Sequence, residues 1–148
     1  MMLDAQHLFS DAQALTATAA STNLIDLGAD RDIGKGEPMA VVICVDVAAD
    51  FTTANETYQI DLETDDNSSF SSATVIARRI PVVTASAATN GLAAGKILVI
   101  PVPHDNERYL RLNYTLGGTT PTVTLTSFLQ AMSMIQSDAQ YPDALTIS

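Results

Sequence analysis

An all-β, single-domain β-sandwich is the fold this sequence predicts, and three stretches carry the prediction. Between Glu107 and Leu116, Leu110, Leu112, Tyr114 and Leu116 fall on one side while Tyr109, Arg111, Asn113 and Thr115 fall on the other. That period of two is the mark of a half-buried strand. Tyr58, Ile60 and Leu62 alternate in the same way with Gln59, Asp61 and Glu63. Pro38–Val47 is instead an almost unbroken apolar run, as expected of a central strand buried on both faces, with its proline tolerated only at the start. With the remaining segments there are about seven or eight short strands separated by turn signals, a pattern that suggests a sandwich of jelly-roll-like topology.

Composition bounds the function. A chain of 148 residues with 47% hydrophobic content is sized for one domain with a sizeable core. Seven Lys and Arg against 17 Asp and Glu give a formal charge of −10. The basic footprint of a nucleic-acid binder is therefore missing, and an anionic membrane surface is disfavoured. Cys44 is the sole cysteine, so no intramolecular disulfide can form, and its setting among Val42, Ile43, Val45 and Val47 reads as a small buried hydrophobe. Met1–Ala20 has no Lys or Arg and no continuous apolar run, so neither a signal peptide nor a membrane anchor is expected there.

In chain order, residues 1–22 read as an N-terminal arm, residues 23–133 as the sandwich, and residues 134–148 as a C-terminal tail containing Tyr141. The arm is rich in Ala, Thr and Ser, and its Leu3, Leu8, Phe9 and Leu15 follow no pattern that one sheet would bury. They are expected, with His7, to order against a partner rather than in the core. Asn23–Leu27 is a short first strand, Thr74–Val83 and Lys96–Pro101 are further strands, and Pro121–Met132 is the last, with Thr122, Thr124, Thr126 and Phe128 on a Thr-rich face of the kind expected to be exposed. Gly117-Gly118 supplies the backbone freedom for a tight reversal, so the segments before and after it read as a strand-turn-strand unit.

No segment offers a convincing reaction centre. The acidic loop Ala29–Glu37 lacks the ligand set and terminal Glu of a calcium loop. His104-Asp105 has no third, orienting group, and the other histidine, His7, lies in the arm. No enzyme activity, metal or cofactor is expected. Asp65-Asp66-Asn67-Ser68-Ser69 reads as a loop of turn formers pinned by Phe70. Two carboxylates beside a ring also occur in sugar-binding sandwiches, which leaves a carbohydrate- or receptor-binding module as the alternative, although the chain has no Trp. Arg78 and Arg79, two of the seven basic residues, read either as a solvated strand face or as guanidinium contacts to an acidic neighbour.

Three segments, Leu8–Gly28 (LFSDAQALTATAASTNLIDLG), Gln59–Ser72 (QIDLETDDNSSFSS) and Glu107–Gly117 (ERYLRLNYTLG), give the chain its resemblance to the capsid cement, or decoration, proteins of tailed bacteriophages. The resemblance implies a jelly-roll-like fold, a homo-oligomer (dimer or trimer), and attachment to the outer surface of the virion after synthesis in the cytoplasm of the bacterial host. The implied partner is the major capsid protein, whose neighbouring subunits would be clamped. It brings no active-site residues. The interface residues expected on this reading are Leu3, His7, Leu8, Phe9, Leu15, Arg78, Arg79 and Tyr141.

Overall fold

The computed structural model describes residues 5–33, 35–81, 83 and 91–135. Nine strands follow one another: β1 (Leu8–Leu15), β2 (Ala19–Ala20), β3 (Ile25–Asp26), β4 (Met39–Val47), β5 (Thr57–Asp65), β6 (Thr74–Arg79), β7 (Ile97–Pro101), β8 (Tyr109–Gly117) and β9 (Val123–Ala131). Two single-turn 3-10 helices, Ala5–His7 and Met132–Met134, flank them, and no α-helix occurs among the described residues. The strands form two antiparallel sheets: sheet A in the order β1-β9-β4-β7 and sheet B in the order β2-β8-β5-β6, with β3 continuing the β2 edge along β8.

This order is that of a jelly roll. Strands pair from the outside of the sequence inward: β1 with β9, β2 and β3 with β8, β4 with β7, and β5 with β6. The chain is thus one long antiparallel ribbon, wound so that β4 also meets β9 and β5 also meets β8. The all-β sandwich predicted from the alternating stretches is the observed fold.

The core lies between the sheets. Val41, Ile43 and Val45 of β4 and Leu125 and Leu129 of β9 face Tyr58, Ile60 and Leu62 of β5 and Leu110, Leu112 and Tyr114 of β8 in one buried cluster. Val42 and Phe128, on the opposite side of sheet A by alternation, are also buried. The unbroken apolar run of β4 therefore does mark a strand shielded on both faces, while Cys44 is half-buried.

Two readings of the sequence need correction. The expected arm, residues 1–22, is not outside the sandwich over its described part, 5–22: β1 is an edge strand of sheet A, and Phe9 and Leu15 are 0% and 2% exposed within the core. The unpatterned spacing of Leu8, Phe9 and Leu15 arises from irregularity in β1. Its register slips between Leu8 and Ser10 and again between Ser10 and Gln13, and Ala12 takes a left-handed φ of 43°. A bulged strand loses its period of two, so its core residues look unpatterned. The Gly117-Gly118 reversal, in turn, closes no hairpin, because β8 lies in sheet B and β9 in sheet A. It is a corner that carries the chain across the sandwich. Gly118 has φ of 91°, and a Cβ there would collide with the backbone of Asn55 and Glu56.

A buried hydroxyl relay fastens β1. Tyr114 Oη on β8 lies 2.8 Å from Ser10 Oγ on β1 and 2.8 Å from Ser127 Oγ on β9. Ser10 gives its proton to Gln13 Oε1 at 2.7 Å, so it accepts from Tyr114, which then accepts from Ser127. Gln13 passes the link to the next edge, donating to Ala20 O and accepting from Thr22 N–H.

Phe9→Ala should destabilise the isolated protein by about 3–5 kcal/mol, the usual cost of emptying a fully buried aromatic site. Urea unfolding measures it. A midpoint equal to wild type would return residues 8–15 to the status of a dispensable arm.

Candidate functional site

The residues singled out in the sequence do not converge. Leu3 and Tyr141 lie outside the described residues. Phe9 and Leu15 are core, and Leu8 is half-buried at the start of β1. Arg78 and Arg79 end β6, the edge strand of sheet B farthest from β2, whereas β1 is the edge of sheet A farthest from β7. Since β6 meets β7 across the sandwich, the arginines are about three strand spacings, about 14 Å, from the β1 side. The expected interface set is therefore corrected for its described members: Phe9 and Leu15 are consumed by folding, and Leu8 and the two arginines occupy opposite flanks.

Both alternatives stated for the arginines are realised, one in each. Arg78 forks onto Asp61 of β5, Nε to Oδ1 at 2.7 Å and Nη2 to Oδ2 at 3.1 Å. The bond lifts the guanidinium pKa further, through hydrogen bonding and then charge. Arg79 is solvent-exposed and takes part in none of the ion pairs among the described residues.

The Asp61 contact is part of a polar lattice over the outer face of sheet B. On β5, Gln59, Asp61 and Glu63 alternate with the core residues, and the flanking strands bring cations to them. Arg111 of β8 donates from Nε to Glu63 Oε2 at 2.7 Å, and its guanidinium lies 4.2 Å from the centre of the Phe70 ring. Gln59 donates to Asp61 from one side while Arg78 holds it from the other. This lattice was not anticipated from the sequence, although carboxylates at alternate positions of a strand opposite a basic strand are a usable signal for it.

The loop after β5 is pinned as the sequence suggested. Asp65 accepts the backbone N–H groups of Asn67 at 2.8 Å and Ser72 at 2.7 Å, and the Asn67 bond first of all holds its carboxyl below the usual range. Phe70 is buried under Arg111 in a left-handed conformation, φ 52°. Two of the three groups that favoured a sugar site are thus committed internally, Asp65 to turn N–H groups and the Phe70 ring to a cation, while Asp66 is exposed.

A more open feature is a cleft of about 520 Å³ beside β3, floored by Ile25, Leu27 and Met39 and rimmed by His7, Asp26 and Asp32. Arg108 forks onto Asp26 with bonds of 2.9 and 3.0 Å. Together with the Gly28 N–H it lowers the Asp26 pKa to about 2. Arg31 spends Nη2 on Leu27 O at 2.6 Å. Among the described residues no three His, Cys, Asp or Glu side chains are grouped so as to hold a metal ion. His104 and Asp105 are both exposed. The Cys44 thiol is pushed up in pKa by burial and then by the charge of Asp46, the opposite of what activates a nucleophile.

An internally committed jelly-roll sandwich of this kind defines a β-protein whose polar groups mainly hold the fold. The sequence matches the model of the Bbp16 family over residues 9–129, well over half of the 148-residue chain, and the protein belongs to that family. No curated protein matches the chain.

The carboxylates set the acid response. Asp26, Asp50 and Asp65 are all held below their ordinary value of 3.8 by hydrogen bonds, so their contribution to stability is complete above that pH and is lost as pH falls through the depressed values. Glu107 runs the other way: burial and the charges of Asp66, Asp65 and Asp30 raise its pKa, so the folded state disfavours its ionised form at neutrality. The melting temperature should therefore drop between pH 3.8 and about 2, with Asp26→Asn shrinking the drop. Glu107→Gln should raise the melting temperature at pH 7. Differential scanning calorimetry across that range checks both.

Proposed function

We propose that this protein is a non-enzymatic cement protein of a phage virion, which binds the outside of the assembled major capsid protein shell and clamps neighbouring subunits. The observation that carries the reading is where the family match falls: residues 9–129 run from the first core residue of β1 to the last of β9. What the family shares is thus the sandwich as a whole, and this agrees with the resemblance carried by Leu8–Gly28, Gln59–Ser72 and Glu107–Gly117. The net charge of −10 suits the role, since an acidic protein is kept soluble before docking and is not drawn to packaged DNA.

The mechanism is mass action. A protein that binds the closed shell but not its free subunits stabilises the shell by its own binding free energy. If it acts as a dimer or trimer engaging two or more lattice positions, the later contacts are effectively intramolecular, and avidity rises by about 10² to 10⁴ over one contact.

Adding the purified protein to shells that lack it should raise the temperature at which they rupture, in proportion to occupancy, and cryo-EM of those particles should show density on the outer surface. Shells that neither gain density nor resist heat at saturating protein would overturn the proposal.

A further inference from the structure

The two outer faces of the sandwich differ in what they leave open. On sheet B, Asp61, Glu63 and Phe70 are each engaged by an arginine. On sheet A, register places Cys44 beside Ile97 and Thr126. These residues lie on the outer side, since Ile43 and Val45 point into the core. Here the sheet carries an uncovered apolar strip: Ile97 is 60% exposed, Val47 59%, and Cys44 and Thr126 are half-buried between them.

One carboxylate is fixed at the margin of this strip. Asp46 sits in the bulge where the β4–β9 register slips between Val45 and Val47. Thr126 Oγ1 donates to Asp46 Oδ2 at 2.6 Å and accepts the N–H of Ala12 at 3.0 Å. Three strands, β4, β9 and β1, therefore position one exposed acceptor, and the left-handed φ of Ala12 belongs to the same arrangement. Asp46 takes part in none of the ion pairs among the described residues, and Asp11, also exposed, is the neighbour of Ala12 in sequence.

We infer that this strip of sheet A is the surface that meets the shell, and that it receives an apolar side chain flanked by Lys or Arg on the capsid subunit. The inference rests on the cement reading above. Apolar area provides the contact, while a carboxylate already held in place needs no further ordering when it meets a cation. Charge selects the occupant. A second copy of this chain would bring Asp11, Asp46 and a total of −10 to the strip, with Lys96, beside Ile97, as the cation it offers there. A partner with basic flanks is complementary to Asp46 and Asp11 and to the total charge, with Lys96 the one cation that its flanks must avoid.

The test uses the full-length protein and shells purified without it. Asp46→Lys, alone and combined with Ile97→Asp, is compared with Thr115→Lys, an exposed position on the outer side of sheet B. All are first matched to wild type by circular dichroism and melting temperature; if Ile97→Asp fails to fold, Asp46→Lys alone carries the test. Asp46→Lys should weaken shell binding about tenfold or more, the double variant further, and Thr115→Lys should bind as wild type does. Full binding by folded Asp46→Lys, or loss of binding confined to Thr115→Lys, overturns the inference and leaves the cement role standing. A change in the sedimentation of free Asp46→Lys without a change in shell binding would assign the strip to a second copy, which also overturns it. If wild type does not bind shells at all, the cement reading fails first.

Discussion

The fold depends on the hydroxyl of Tyr114 being satisfied. A tyrosine oxygen placed between two sheets costs several kcal/mol unless it is hydrogen-bonded, whereas a bonded one ties together whatever carries its partners. Here the partners are Ser10 and Ser127, so a single oxygen on β8 connects sheet B to both β1 and β9 of sheet A. The carriers are the first strand, the last strand and the strand that pairs with β2. That is the closing turn of the ribbon, where chain segments about a hundred residues apart must find each other. The phenol pKa is raised by burial in spite of both serine bonds, in keeping with a neutral phenol inside the core.

From that closure the contrast between the two outer faces follows. Because β5 lies between β6 and β8, Asp61 and Glu63 sit between the bases of two strands, and each finds a guanidinium. The middle of sheet B is thereby neutralised by its own pairing. β4 occupies the equivalent place in sheet A but carries Val42 and Cys44 outward, and its flanking strands answer with Val99, Ile97, Thr126 and Phe128. Val42 and Phe128 are buried, but Ile97 and Val47 stay open, and the charges at hand, Asp46 and Lys96, lie only at the margin, so this part of the face gains most by burial. The same topology therefore gives one face that is finished by its own side chains and one that is not.

Most of the fold was legible because regular strands write their burial into the sequence. β5, β8 and the apolar run of β4 announced themselves through period two or through continuity, and Phe70 announced the loop it pins. Part of what the sequence concealed comes from irregular backbone. β1 contains two register slips and a left-handed alanine, so Phe9 and Leu15 enter the core without the spacing that would reveal it. Asp46 is likewise displaced by a bulge, and Gly117-Gly118 looks the same in sequence whether it closes a hairpin or turns a corner between sheets. Pairing partners are not written locally. Arg78 could be suspected of meeting a carboxylate, but that it meets Asp61 follows only from the register of β5 and β6.

Placing β1 in the core changes how a cement role would have to operate. A detachable arm would let docking and folding be separate events, with ordering entropy lost only on the shell. With Phe9 and Leu15 already buried, that entropy has been lost when the sandwich forms, and the folded body offers a surface whose geometry is set beforehand. Such a surface would gain more affinity per contact, but it could not reshape itself to a lattice whose spacing changed. A rigid clamp should therefore discriminate between shell forms: it fits the lattice spacing that matches its own contacts and rejects the others, because misplacing even one of several linked contacts forfeits the avidity that joins them. In a cement role, the ties made by the Tyr114 relay and the sheet B ion pairs would be what restricted such a body to one state of the lattice.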